Sequence, residues 1–251
     1  MDKLIYTAFN TLNNIFDNRS VRAQNMANVN VPGYRRDLGT RSAGSAFISA
    51  ENTFQARALA IRDDTNIFES DPGTLSQTGS DMDIAIRGDG YFMVKGPGAP
   101  SLTRRGDLNV DTEGFLINGS SQKFLNKNQQ PIQIGAYRNI KIADNGDIFV
   151  EPLGSEPGTK KLAATLGLTS GAGEQLKKFP DGEIRSKNGG LPLADQLPTI
   201  VQKHIELSNV NITEELVNTI EDQRSYEVNI KLISSASEAD EAGASLMRMP
   251  G

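Results

Sequence analysis

Two long helical segments, one at each end of the chain, constrain this sequence more than anything between them. At 100° per residue, residues 2 to 28 place Leu4, Ile5, Ala8, Phe9, Leu12, Ile15, Phe16, Ala23, Met26 and Ala27 within an arc of about 140°, with Asp2, Asn10, Asn13, Asp17 and Gln24 outside it. Arg19 and Arg22 interrupt the stripe, so its second half should pack less tightly. Such a helix is roughly 40 Å long, and burying its six large apolar side chains gives on the order of 10 kcal/mol gross. Alone in water the segment would be marginal. Val31-Pro32-Gly33 should end it by about Asn30, because proline forces the preceding residue into extended geometry.

The second helix is predicted over residues 209 to 233. Ser208-Asn209-Val210-Asn211 is rich in capping side chains, and Glu214 and Glu215 place acid where the helix dipole favours it. Leu216, Ile220, Tyr226, Ile230 and Ile233 share an arc of about 140°. Val217, Val228 and Leu232 form a second stripe beside it. A helix apolar on two sides needs more than one neighbour. The first helix supplies one, and further copies of the chain are the natural source of the rest.

From Met82 the period changes to two. Met82, Ile84 and Ile86 alternate with Asp83, Ala85 and Arg87; Gly88-Asp89-Gly90 turns, and residues 91 to 94 return as an apolar strand, a predicted hairpin. Short strands follow at 102–104, 108–110, 115–117, 123–125, 132–134, 140–142, 148–150, 162–168 and 179–185. Asp144-Asn145-Gly146-Asp147 forms a hairpin turn, and the run 200–207 leads back to the second helix. Strands at intervals of about ten residues imply an antiparallel sandwich or barrel. The expected fold is therefore α+β: long N- and C-terminal helices forming a coiled-coil-like pair, with an inserted, mainly antiparallel β domain. The domains are residues 1–34 and 206–251 as a terminal helical assembly domain, 35–80 as an extended connector, and 81–205 as the β-rich outer domain.

Composition excludes several classes. With 251 residues, 37% hydrophobic, the chain can bury a sizeable core. A net charge of −5 argues against a nucleic-acid partner and leaves no basic patch for anionic lipid. No apolar run reaches the length of a membrane span. Residues 1 to 28 lack the basic, apolar and small-residue regions of a secretory signal. Zero cysteines remove disulfides and thiol chemistry, and the single His204 removes multi-histidine metal sites. His204 lies in an alternating run and reads as a strand histidine. Asp81, Asp83 and Asp89 do not make a calcium loop, because the fifth position is Ala85. Gly88-Asp89-Gly90 lacks the third glycine and helix of a dinucleotide site. No acid–base pair is evident; neither an enzyme, a cofactor nor a small-molecule substrate is expected.

Several motifs carry a resemblance. Gln24-Asn25-Met26-Ala27-Asn28 followed by Val31-Pro32-Gly33-Tyr34 resembles the N-terminal signature of the bacterial flagellar rod and hook axial proteins. Ser208-Asn209-Val210-Asn211 with Arg224-Ser225-Tyr226-Glu227 resembles their C-terminal signature. The middle is similar too, through Asp83, Gly88 and Gly90 in residues 78–92 and Arg104 and Gly106 in residues 102–108. The compact length and the tail, Ser237 to Gly243 then Leu246-Met247-Arg248-Met249, are most like the proximal-rod branch of that family.

The resemblance implies a structural rod subunit that polymerises helically through its terminal helices into a torque-transmitting axle. The interface would include Leu4, Ile5, Phe9, Leu12, Ile15, Phe16, Met26, Leu216, Val217, Ile220, Tyr226, Val228, Ile230 and Ile233. Partners would be copies of itself, other rod subunits and the flagellar export apparatus. The location would be the periplasmic rod of the basal body, reached without signal cleavage. The helices should be poorly ordered in the monomer and order on assembly. A distal-rod subunit is the near alternative. A β-sandwich binding module with helical oligomerisation arms is the remote one; it would need an exposed aromatic platform, and the chain has no Trp.

Overall fold

The computed structural model describes residues 2–39, 42–49, 56–62, 67–179 and 181–247. Among the described residues two helices, α1 (Asp2–Ala27) and α2 (Ile212–Met247), bracket nineteen short strands. The chain divides into two compact units: residues 1–27, 37–67 and 211–251 form the first, residues 28–36 and 68–210 the second.

The second unit is built almost wholly from antiparallel strands. Tyr91–Lys95 is its central strand. It pairs with Ser101–Thr103 on one side and Lys123–Phe124 on the other, and Leu168–Thr169 also pairs with it. Successive side chains of a strand point to opposite faces. Phe92 and Val94 accordingly join one apolar cluster with Ile84, Leu116, Phe124, Ile148 and Leu166. Tyr91 and Met93 join another with Leu102, Leu125 and Ile184. Phe92 and Phe124 meet edge to face, 5.8 Å between ring centroids. A strand buried on both faces reads as a continuous apolar run, as Tyr-Phe-Met-Val does.

Two local expectations change. Ile84–Arg87 does not form a hairpin with Tyr91–Lys95; it pairs with Thr199–Gln202, far along the chain. Ile84, Ala85 and Ile86 are all buried, so this strand too needs cover on both faces. Gly90, at φ +130°, lets the chain pass where a Cβ would lie 2.4 Å from Pro198. Residues 179–185 are not one strand: Leu176–Lys178 and Ile184–Ser186 pair across a turn closed by the Phe179 amide on Glu183 O. The Asp144–Asp147 turn is as expected. It joins Tyr137–Ile142 to Asp147–Pro152, with Ile142 opposite Ile148 and Gly146 at φ +91°.

The first unit holds both helices and the antiparallel pair Ser42–Ser49 and Ala56–Arg62. In α2, Asn211 Oδ1 accepts from the amides of Thr213 (3.0 Å) and Glu214 (3.4 Å), which places the start at Ile212. The helix runs past Ile233 to Met247. Its last stretch, Ser-Ser-Ala-Ser-Glu-Ala-Asp-Glu-Ala, contains no proline to stop it but carries no apolar stripe.

The expected α+β class built on a coiled-coil-like helix pair is not what the structure holds. The chain is mainly a multi-sheet β protein, and the contacts between α1 and α2 are a mixture of polar and apolar ones rather than a coiled-coil seam. Arg22 Nε donates to Asp222 Oδ2 at 2.7 Å, Asn25 Nδ2 to Glu215 Oε1 at 3.1 Å, and Phe16 packs edge-on to Tyr226 at 5.9 Å. The less exposed side of α2 consists mostly of Glu215, Asn218, Thr219, Asp222, Asn229 and Ala236. Knobs-into-holes packing requires apolar a and d positions on both helices. Here most of those positions on α2 are polar, Tyr226 and Ile233 being half-buried exceptions, and most of its other large apolar residues are exposed.

Candidate functional site: an assembly surface

The helical positions singled out in the sequence divide into two groups. Leu12 and Ile15 are buried; Ile5, Met26, Tyr226 and Ile233 are half-buried. Phe9 (56% exposed), Phe16, Leu216, Val217, Ile220 (55%), Val228 (62%) and Ile230 face solvent. The side chain of Leu4 lies outside the described residues. Tyr6 and Ile212, missed in the sequence reading, are exposed as well. On α2, Ile212, Leu216, Val217 and Ile220 are exposed within the first three turns, with Val228 further along beside the exposed Arg224 and Glu227.

The N-terminal signature fastens the first unit. Asn25 is 1% exposed. Its Nδ2 donates to Asp37 O (2.8 Å) as well as to Glu215, and its Oδ1 accepts from the Asp37 amide (2.9 Å). One buried amide thus ties α1 to α2 and to the strand Asp37–Gly39. A Leu or Ala at this position would leave those groups unsatisfied in a dry site. Arg22 Nη1 lies 3.6 Å from Glu215, so the buried carboxylate is balanced.

The remaining signature residues gather in the second unit around Glu206, which the sequence reading passed over. Glu206 is fully buried. Its Oε1 lies 2.6 Å from Arg35 Nη1 and its Oε2 3.0 Å from Arg104 Nε; Oε1 also accepts from the Gly73 amide at 2.9 Å. Arg104 reaches Gly88 O and stands 5.9 Å over the Tyr91 ring. Gly33 donates its amide to Glu206 O at 2.8 Å. It sits at φ +65°, and a Cβ there would lie 2.3 Å from the Arg104 carbonyl carbon. Gly106 is needed for the same reason, since its Cβ would meet Ile84 O at 1.9 Å. Tyr34 lies under the Lys178 ammonium (4.0 Å), which also donates to Arg35 O.

Burial lowers the Arg104 pKa, and Glu206 opposes that. Burial also raises the Tyr91 pKa, offset in part by Arg35 and Arg104. Both guanidiniums are at 1% exposure, so the cluster ties together the chain segments at Arg35, Gly73, Arg104 and Glu206. Its sequence signal was an acid at an inward position of the alternating run before α2.

Asn209 completes the fastening. Its Oδ1 accepts from the Arg36 amide (2.7 Å), and its Nδ2 donates to Glu69 O and Asp71 O. Ser208 Oγ accepts from the Val210 amide, and Asn28 O from the Val31 amide. Pro32 is half-buried, Ala27 ends α1, and Arg224 and Glu227 lie exposed on α2. Asp83 O accepts from the Lys203 amide, while Asp81 pairs with Lys203 Nζ at 3.1 Å. His204 Nδ1 is 2.9 Å from Gln202 O in its strand. Among the described residues no three acidic or histidine side chains gather as a metal site, and no helix is long and apolar enough to cross a membrane.

Comparison with known proteins accounts for this pattern. Residues 85–150 match the family model of the flagellar hook protein FlgE/F/G D1 domain, and residues 201–246 that of the flagellar basal body rod FlgEFG protein C-terminal region. The chain is 28% identical to the flagellar basal-body rod protein FlgF of Salmonella typhimurium over 99% of its own length and 100% of that protein. It is 33% identical to the flagellar basal-body rod protein FlgG of Buchnera aphidicola over 87% of its length and 90% of that protein. It is 26% identical to FlgG of Bacillus subtilis, with 95% and 96% covered. The Asn25 and Glu206 anchors and the outward apolar residues are thus features of a chain that belongs to the flagellar basal-body rod protein family.

Proposed function

We propose that the outward apolar faces of α1 and α2 are the surfaces through which this structural rod subunit, which is not an enzyme, assembles with copies of itself and with other rod subunits. The observation that carries this reading is the orientation of α2. Its polar residues contact α1, and Leu216, Val217, Ile220 and Val228 stand in solvent. Exposure of four such side chains is unfavourable in a lone chain, and burial in a contact would recover roughly 1.5–3 kcal/mol for each. A helical polymer with these helices in its wall would carry torque through packing alone. The location we infer is the periplasmic rod of the basal body, reached through the flagellar export apparatus. The proximal rod is the favoured position, supported by end-to-end alignment with a FlgF protein. The higher identity to a FlgG protein supports a distal position as the second reading.

Electron microscopy of basal bodies from a deletion strain tests the position. Stumps without distal rod, hook or motility are expected; a rod lacking only its distal part would move the chain there, and normal flagella would refute the reading. Ile220→Asp places a charge in the proposed contact and should abolish assembly with the β unit still folded. The helices should exchange their amides rapidly in dilute protein and slowly once assembled.

A further inference from the structure

Three asparagines in the chain are followed by glycine: Asn118, Asn145 and Asn188. An asparagine carboxamide beside glycine is open to attack by the next backbone nitrogen, because no Cβ stands in the way. The fold leaves the three in different states. Asn118 is 1% exposed; its Nδ2 donates to Gln122 Oε1 at 2.7 Å, and its Oδ1 accepts from the amides of Ser120 and Gln122, each at 3.0 Å. Asn145 bonds Asp147 twice: its Nδ2 donates to Asp147 Oδ2 at 2.8 Å, and its Oδ1 accepts from the Asp147 amide at 3.1 Å. Gly146 behind it is buried. Both are Asx turns, which hold the carboxamide toward the residue two positions on.

Asn188 lies in the turn Lys187-Asn188-Gly189-Gly190 that follows Ile184–Ser186, and all four residues of that turn are exposed. Its carboxamide makes no hydrogen bond among the described residues. Nothing lies within 4 Å of a Cβ position at Gly189 or Gly190, so the tip has open space around it. The Gly189 amide bonds to Ser186 O at 2.7 Å, as the Gly146 amide bonds to Ala143 O at 2.9 Å. That backbone bond is common to both turns; the free carboxamide is what separates them. A single bond at an exposed turn tip opens by local fluctuation at little cost.

We propose that Asn188 is the site at which this folded chain deamidates. The Gly189 nitrogen loses its proton to a base in solvent and attacks Asn188 Cγ; the carboxamide C–N bond breaks, ammonia leaves and a succinimide ring closes. Water then opens the ring. Cleavage of the nitrogen–Cγ bond leaves aspartate. Cleavage at the main-chain carbonyl leaves isoaspartate, with the backbone now running through the side chain. Either product replaces an amide by a carboxylate and adds one negative charge to a chain that carries −5. Isoaspartate also lengthens the backbone inside the turn closed by the Gly189 amide on Ser186 O and the Ser186 amide on Gly190 O. The damage is confined to the end of the Leu176–Lys178 and Ile184–Ser186 pair. This inference is independent of the rod reading.

The test follows the purified full-length chain at mildly alkaline pH over weeks by peptide mass spectrometry, beside the same chain in concentrated guanidinium chloride. In the folded chain, conversion of Asn188 should outpace that of Asn118 and Asn145 severalfold; in denaturant the three rates should converge. An acidic band on isoelectric focusing and methyl label from an isoaspartyl methyltransferase should grow in step with it. Asn188→Gln keeps a carboxamide but needs a larger ring to cyclise, and it should abolish both signals. Amide exchange of the aged chain should quicken at Ser186 and Gly189 with Phe92 unchanged. Equal rates at the three sites in the folded chain, or an Asn188 that stays intact there, overturn the proposal. An acidic band that persists in Asn188→Gln overturns it as well, and lost protection at Phe92 overturns the local effect.

Discussion

The two units use their apolar residues in opposite ways. In the β unit, Ile84, Phe92, Val94, Leu116 and Phe124 are wholly buried, and even its buried charges are paired at Glu206. In the helical unit Leu12 and Ile15 are buried and Arg22–Asp222, Asn25–Glu215 and Phe16–Tyr226 join the helices, while Phe9, Leu216, Ile220 and Val228 face outward. The β unit completes its packing within one chain. The helical unit joins its two helices largely through polar groups and leaves much of its apolar surface exposed. An apolar band is a poor guide to which face a helix turns inward when the partner helix offers arginine and asparagine.

Substitutions in the β unit should be the most damaging. Phe92→Ala removes a ring with no exposure from the central strand and should cost about 3–5 kcal/mol, read by chemical denaturation of the purified chain. Glu206→Leu should cost a similar amount, about 3–5 kcal/mol, because it leaves Arg35 and Arg104 buried without their counter-charge. If it cost less than Phe92→Ala by a wide margin, the cluster would not be the fastening described. In the helical unit, Asn25→Ala should cost about 1–3 kcal/mol, seen as faster amide exchange in the last turns of α1 with the β core unchanged. A simultaneous loss of β protection would erase the contrast.

Alkaline pH sharpens the comparison from another side. Burial raises the Tyr91 pKa, so the folded state favours the neutral phenol. That contribution is present in full below the unfolded value of about 10 and is lost as pH rises through the higher folded value. Tyr91→Phe should remove this part of the alkaline instability, at a cost of about 1–3 kcal/mol at neutral pH for the lost hydrogen bond to Arg35. Leu216→Asp is expected to have the smallest effect on the lone chain, within about 0.5 kcal/mol, while abolishing assembly. A large destabilisation would mean that Leu216 already packs within the monomer.

Much of this was legible in residue order. Period-two alternation located most of the strands, and the Asp-Asn-Gly-Asp turn named its hairpin. The terminal signatures pointed to the family, and local chemistry limited α1, whose Val-Pro-Gly sequence cannot continue a helix. Long-range pairing was not legible. Ile84–Arg87 is followed by a good turn, yet its partner is Thr199–Gln202, because a strand apolar on both faces takes whichever neighbour closes the core. The role of Glu206 was equally hidden: a glutamate in an alternating run looks solvated until Arg35, Gly73 and Arg104 are brought to it.

Residue order by itself determined the two terminal helices and most of the strands from residue 82 onward, that the helices carry more apolar surface than they bury on each other, and which family the chain resembles. Only the tertiary structure decided which face of each helix turns inward, which strands pair, and that the signature residues Asn25, Gly33, Arg104 and Asn209 serve as anchors. The reason is one of range. Propensity, capping and periodicity act within a few residues. The choice of neighbour depends on desolvating charges such as Arg35 and Glu206, which lie far apart along the chain and meet only once it is folded.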